Sequence, residues 1–227
     1  MSALTVTGAW LNHPALNLVL GTVLLLATTG RVFADSTRVD ADTLPPVAVI
    51  KNTFETMLSR MDSESAQLNG SPEKLAELVS EVVIPHLDTT RISRMVLGKS
   101  WRTASNDQFQ RFSREFKTLL IRTYAASLHH YTVEDIHFPS HEKRYKNGTA
   151  AVELEIRRPN EPVIKLGFRL HNKLGPWLVY DIKVEGISLV ANYRTEFSET
   201  VRSQGLDALI TLLENKNKGT RIASASH

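Results

Sequence analysis

Two hydrophobic periods divide the chain. From Pro45 to about His129 apolar residues return with helical spacing, from Tyr131 to Glu185 they alternate, and after Gly186 the helical spacing resumes. In the first zone Pro45-Pro46 opens an amphipathic helix carrying Ile50, Phe54, Met57 or Leu58, and Met61. Ser71 and Pro72 start a second, striped by Leu75, Leu78, Val79, Val82 and Val83 and interrupted at Pro85. Asp88 caps a third that runs through Leu97 and ends at Gly98. Ser105 and Gln108 have capping-box spacing and open a long helix. Phe109, Phe112, Phe116, Leu119, Leu120 and Thr123 share its apolar face, Arg111, Arg114, Thr118 and Arg122 the other, and Ile121 is a misfit on the polar side.

The alternating zone predicts four strands, at 131–138, 150–157, 164–171 and 177–185, with turns at Lys146-Asn147-Gly148, 159–162 and 173–176. In the last strand Leu178, Tyr180, Ile182 and Val184 fall on one face; Val179, Asp181, Lys183 and Glu185 fall on the other. After Gly186, residues Ile187, Leu189, Val190, Tyr193 and Phe197 suit a packed helix, so a sheet-to-helix corner is expected there. Helices are predicted at 188–201 and 206–216. The expected product is one α+β domain over 45–216: a curved antiparallel four-stranded sheet with helices packed on one face. An incompletely filled interface between them would be an apolar pocket.

Composition changes this picture in two ways. The 227 residues include no cysteine, which removes disulfide and thiolate chemistry, and the formal charge of +3 comes without a basic tract. Aromatic residues lie on apolar faces instead of interleaving with basic ones, so no nucleic acid partner is expected. At the N-terminus residues 15–29 form an uncharged apolar run, followed by Gly30 and Val32-Phe33-Ala34. That reads as a signal peptide over 1–34, although no Lys or Arg precedes Arg31. The run falls short of the roughly 20 residues a membrane span needs. Residues 35–44 read as a flexible lead-in and 217–227 as a flexible tail. Export of a cysteine-free soluble chain fits the periplasm.

Motifs for chemistry are weak. Gly98-Lys99-Ser100 resembles the end of a phosphate loop, but Ser93 stands where its first glycine belongs. Gly186-Ile187-Ser188 starts like a nucleophile elbow, yet Val190 replaces the second glycine and only His227 follows as a base, so Ser188 reads as a helix cap. His129, His130, His137 and His141 cluster without a zinc-ligand spacing, and no metal is assigned. Glu153, Glu155 and Asp181 fall on polar strand faces and read as solvated.

The stretch WLVYDIKVEGISLV at 177–190, continued by Asn192-Tyr193-Arg194 and Phe197, closely resembles the signature of the MlaC, or toluene-tolerance, family. A second block agrees: Val96-Leu97-Gly98, Trp101-Arg102, Ser105, Gln108, Phe112, Phe116 and 119–124. The resemblance covers about 45–216. It implies a non-enzymatic periplasmic carrier that shuttles diacyl phospholipid between an outer-membrane lipoprotein–porin complex and an inner-membrane ABC transporter; a monomer is expected because the apolar stripes can all be used internally. The bound phospholipid would be cargo, with no cofactor. Tails would enter an apolar pocket enclosed between sheet and helices, lined by Phe54, Phe112, Phe116, Phe168, Leu170, Leu178, Tyr180, Ile182, Val184, Ile187 and Leu189. Arg91, Arg94, Lys99 and Arg102 would border the mouth or a docking surface. Rival readings are a periplasmic adaptor with a filled core, and a pocket hydrolase using Asp181 or Glu153 with a histidine.

Overall fold

The computed structural model describes residues 44–68, 71–128, 135–138, 143–157, 161–173 and 175–224. The expected signal peptide, all of the lead-in before Leu44, and His129, His130 and His141 lie outside them. Helix α1 (Pro46–Ser63) has proline at its first turn and no side-chain cap. A short α2 (Ser65–Leu68) leads to α3 (Pro72–Val82), where Ser71 Oγ accepts from the Lys74 amide. A 3₁₀ turn at Ile84–His86 then meets α4 (Thr89–Leu97), capped by Asp88 through the Arg91 amide at 2.8 Å and closed by Gly98 at φ 61°. After a second 3₁₀ turn at Ser100–Arg102 comes α5 (Asn106–Leu128). Its capping box is reciprocal: the Gln108 amide donates to Ser105 Oγ at 3.1 Å and the Ser105 amide to Gln108 Oε1 at 2.9 Å.

The strands are β1 (Asp135–His137), β2 (Lys143–Tyr145), β3 (Thr149–Arg157), β4 (Ile164–His171), β5 (Leu178–Val184) and β6 (Ile187–Ser188). They pair antiparallel in the order β1-β3-β4-β5-β6, and β2 pairs with β3 as well. β1 matches 155–157 of β3 and β2 matches 149–151, so the two lie end to end along one edge of it. The sheet is therefore not the four-stranded one expected: six strands fill five positions. β2 and β6 are too short for alternation to reveal them. Nor does the sheet close a pocket, because the cavity described below opens to solvent and most of its wall is helical.

Between β3 and β4 the register places Ala150, Val152, Leu154 and Ile156 opposite Leu170, Phe168, Leu166 and Ile164, all buried. All of these but Ala150, with Ile50, Tyr124 and Leu189, belong to the core beneath the helices. A second core joins α4, α5, α6 (Leu189–Gln204) and α7 (Leu206–Ser224) around Phe112, Phe116, Tyr193, Phe197 and Ile210. Phe112 and Phe116 stack at 5.6 Å, and both meet Phe197 edge-on. A third core, of Met57, Leu68, Leu75, Leu78 and Ala125, joins α1, α3 and the far side of α5, and Ile121 packs against it. That helix is buried on several sides, which explains the residue its single-face reading could not place. Helix α7 continues beyond the expected end at 216. Asn217 is buried there and donates Nδ2 to the Glu115 carbonyl at 3.0 Å.

Candidate functional site

The β5 register decides which side chains reach the helices. Arg169 pairs with Asp181 but Leu170 pairs with Val179, leaving Tyr180 as the extra residue of a bulge. One inserted residue moves every later side chain to the other face. Val179, Ile182 and Val184 therefore look inward together, although strict alternation puts Val179 on the opposite face from the other two.

Inside lies an apolar cavity of about 880 Å³ counted out to its mouth. Its floor is Ile50 and Met57 of α1, Val79 of α3, Tyr124 of α5, Leu166 and Phe168 of β4, Val179 and Val184 of β5, and Leu189 of α6, all buried. Thr53, Phe54, Val83, His86 and Leu87 line it but are only half-buried, which puts the mouth between α1 and the 3₁₀ turn. A second cavity of about 660 Å³ adjoins it, sharing Val79, Val83, Leu87, Tyr124, Ile182 and Leu189 and adding Phe116, Leu120, Ile121 and Tyr193.

Of the residues proposed from sequence, Phe54, Phe168, Ile182, Val184 and Leu189 line the larger cavity, and Phe116 the smaller. Phe54 meets Phe168 edge-on at 6.1 Å. Phe112 and Leu170 are fully buried in the cores and line neither cavity. Leu178 lines neither; Tyr180 lies under the guanidiniums of Arg91 at 4.2 Å and Arg169 at 5.0 Å. Ile187 is half-exposed in β6. Arg91, Arg94, Lys99 and Arg102 line neither cavity either, and Arg94 stacks on Trp101 at 5.1 Å and Phe109 at 5.7 Å. Val179 was hidden by the bulge, whereas Met57 and Val79 were legible as helix-stripe residues without any mark of a cavity wall.

The polar groups along the walls are sparse. Burial pushes the Tyr124 phenol up to about 12 and raises Tyr193 as well, so both are neutral hydroxyls among hydrocarbon. Asp181 is not solvated as its strand face suggested: it is 2 % exposed. Its carboxylate accepts from Ser188 Oγ at 2.8 Å and from the Val190 amide at 3.3 Å, with the Arg169 guanidinium at 3.8 Å. Ser188 in turn accepts from the Ala191 amide at 3.1 Å. The serine is thus the helix cap it was read as, and its proton is already given to a carboxylate. Among the described residues no cluster of three or more metal-ligating side chains occurs.

The chain's likeness to known proteins runs through these walls. It is 23% identical over 172 residues to the "Intermembrane phospholipid transport system binding protein MlaC" of Haemophilus influenzae, covering 74% of this chain and 80% of that one. It is 24% identical over 163 residues to the "Toluene tolerance protein ttg2D" of Pseudomonas putida, covering 71% and 75%. A solved phospholipid-binding protein of Ralstonia solanacearum, in complex with a phospholipid, shares the fold with a TM-score of 0.70 and 24% identity, over 77% of this chain and 97% of that one. The family model described as "MlaC protein" matches residues 51–215, from α1 through α7, and the chain belongs to the MlaC family.

Proposed function

We propose that the protein is a periplasmic carrier that takes the tails of a diacyl phospholipid into the cavity between sheet and helices and exposes the headgroup at its mouth. The observation that carries this reading is the wall itself: hydrocarbon on nearly every side, open at one rim between α1 and the 3₁₀ turn. Burying an acyl chain there stabilises the complex by about 0.8 kcal/mol per methylene, so the cavity favours chains over any polar solute. The name of the Haemophilus relative and the lipid in the Ralstonia structure support the same cargo. The protein is a carrier and not an enzyme; the Ser188–Asp181 pair is spent on holding α6.

Its partners in this reading are an outer-membrane lipoprotein–porin complex and an inner-membrane ABC transporter, with residues 1–34 removed on export. Native mass spectrometry of protein purified from a periplasm without added lipid tests the core of it. The expected result is a discrete mass gain that organic extraction resolves into diacyl phospholipid, on a chain beginning after Ala34. An apo mass that persists after incubation with phospholipid vesicles would overturn the carrier reading.

A further inference from the structure

The cavity's rim is hydrocarbon except at two side chains, Thr53 and His86. Thr53 gives its proton to the Val49 carbonyl of its own helix at 2.7 Å, which leaves an acceptor only. The His86 ring makes no hydrogen bond or ion pair among the described residues. Its mount is fixed: the His86 amide bonds the Val83 carbonyl at 3.1 Å, and the Leu87 amide bonds the Ile84 carbonyl at 3.0 Å. Immediately after it, Leu87 bridges to Val179 in parallel, and the Asp88 amide donates to the Val179 carbonyl at 2.8 Å. The turn is thereby tied to the edge of β5, with the imidazole held at the mouth.

We propose that His86 is a headgroup-binding residue, its imidazolium donating to the phosphodiester of a lipid whose tails fill the cavity. This rests on the carrier reading and adds to it the group that meets the phosphate. The sequence pointed instead to Arg91, Arg94, Lys99 and Arg102, none of which lines the cavity. In the empty protein burial alone lowers the His86 pKa, so the ring enters neutral. Charged groups on the surrounding elements are engaged or turned outward. On α1 Lys51 and Glu55 are exposed and 3.8 Å apart, and Arg60 is tied to Glu64 and to Glu81 of α3. Lys74 and Glu77 of α3 and Lys183 of β5 are exposed. Asp88 is bound to His171 at 2.7 Å, Asp181 to Ser188, and Tyr124 of α5 is neutral. A phosphodiester arriving at the rim would be the first anion the ring meets, and a charge-assisted hydrogen bond in a half-dry site favours the protonated ring.

The sign follows from linkage. A histidine whose pKa rises on binding makes binding tighter at low pH, and the gain is lost as pH climbs through the pKa of the loaded form. A rise of about one unit gives about tenfold tighter binding at about pH 5.5 than at about pH 8. The experiment follows the His86 ring proton resonances through a pH titration of the mature, delipidated protein, assigned with His86→Gln. It is repeated after loading with dioleoyl phosphatidylglycerol, with dioleoylglycerol, and with inorganic phosphate alone. The proposal expects both lipids to load and only the phosphatidylglycerol to raise the pKa, by about one unit. His86→Gln should still load phosphatidylglycerol but with affinity independent of pH across that range. A loaded phosphatidylglycerol complex with an unmoved His86 overturns the proposal and leaves the carrier standing. The same rise with inorganic phosphate alone also overturns it, because the ring then belongs to an anion site unconnected with cargo. Failure of both lipids to load sinks the carrier reading, and this proposal with it.

Discussion

Ile182 and Leu170 are both apolar residues on strands of the same sheet, yet their surroundings give them opposite tasks. Ile182 is half-buried and borders both cavities; Leu170 is 0 % exposed and borders neither. Replacing Ile182 by Trp adds bulk where there is no side chain to displace, so the overpacking cost of about 1–3 kcal/mol seen in filled cores should be largely avoided. The expected outcome is a protein that melts at or above the wild-type temperature and carries about tenfold less copurified lipid, a change worth about 1.4 kcal/mol. Leu170→Ala should do the reverse, losing about 2–5 kcal/mol of stability while keeping its lipid. Native mass spectrometry and urea denaturation read the two quantities separately. Full lipid occupancy in Ile182→Trp would mean that the cargo lies elsewhere.

At the scale of elements, the corner after β5 shows how far the sequence could be read. The strand does not run straight into a helix. Glu185 and Gly186, at φ 49° and 81°, form a two-residue turn of the kind whose twist suits hairpins, β6 pairs back on β5, and α6 starts at Leu189. The helix stripes and the caps at Ser71, Asp88, Ser105 and Ser188 were legible because each follows from local spacing. The bulge at Tyr180 was not, since it is defined by the pairing of β5 with β4, and no period within one strand reports it. The same blind spot hid the burial of Asp181, which faces the start of α6 only once that helix folds back. Asp181 and Ser188 act there as a unit holding the N-terminus of α6, and so Leu189, against the cavity. Ser188→Ala should cost about 1 kcal/mol, as for other caps. Asp181→Asn should cost about 1–3 kcal/mol, since a charge-assisted acceptor is weakened in a buried place. Because the two share a hydrogen bond, the double variant should cost less than the sum. Denaturant titration of all four proteins closes the cycle, and strict additivity would show that the pair is not one device.

Across the whole molecule the cavity separates what holds the fold from what must move. The β3–β4 backbone pairing and the aromatic stack of Phe112, Phe116 and Phe197 hold through contacts of their own, although Leu166, Phe168 and Phe116 also border the cavities. Helix α1 is different: Ile50, Thr53, Phe54 and Met57 all face the cavity, and its N-terminus has no side-chain cap. Where the cavity is empty these side chains lack partner atoms on one side and forfeit the dispersion that packing supplies. A lipid would restore it, joining α1 to Phe168 and Ile182 through its own chains. The helix is therefore expected to be the least stable wall of the empty protein and the part that yields when tails enter or leave. Hydrogen exchange tests this directly. In delipidated protein the amides of 49–58 should exchange faster than those of 150–156 and 164–170. Loading with phosphatidylglycerol should slow the α1 amides more than the sheet amides, by an additional factor of about ten, corresponding to roughly 1.4 kcal/mol of local stabilisation. If both sets exchange alike when empty and slow in step when loaded, the cavity opens by global unfolding or at some other wall, and α1 is not its gate.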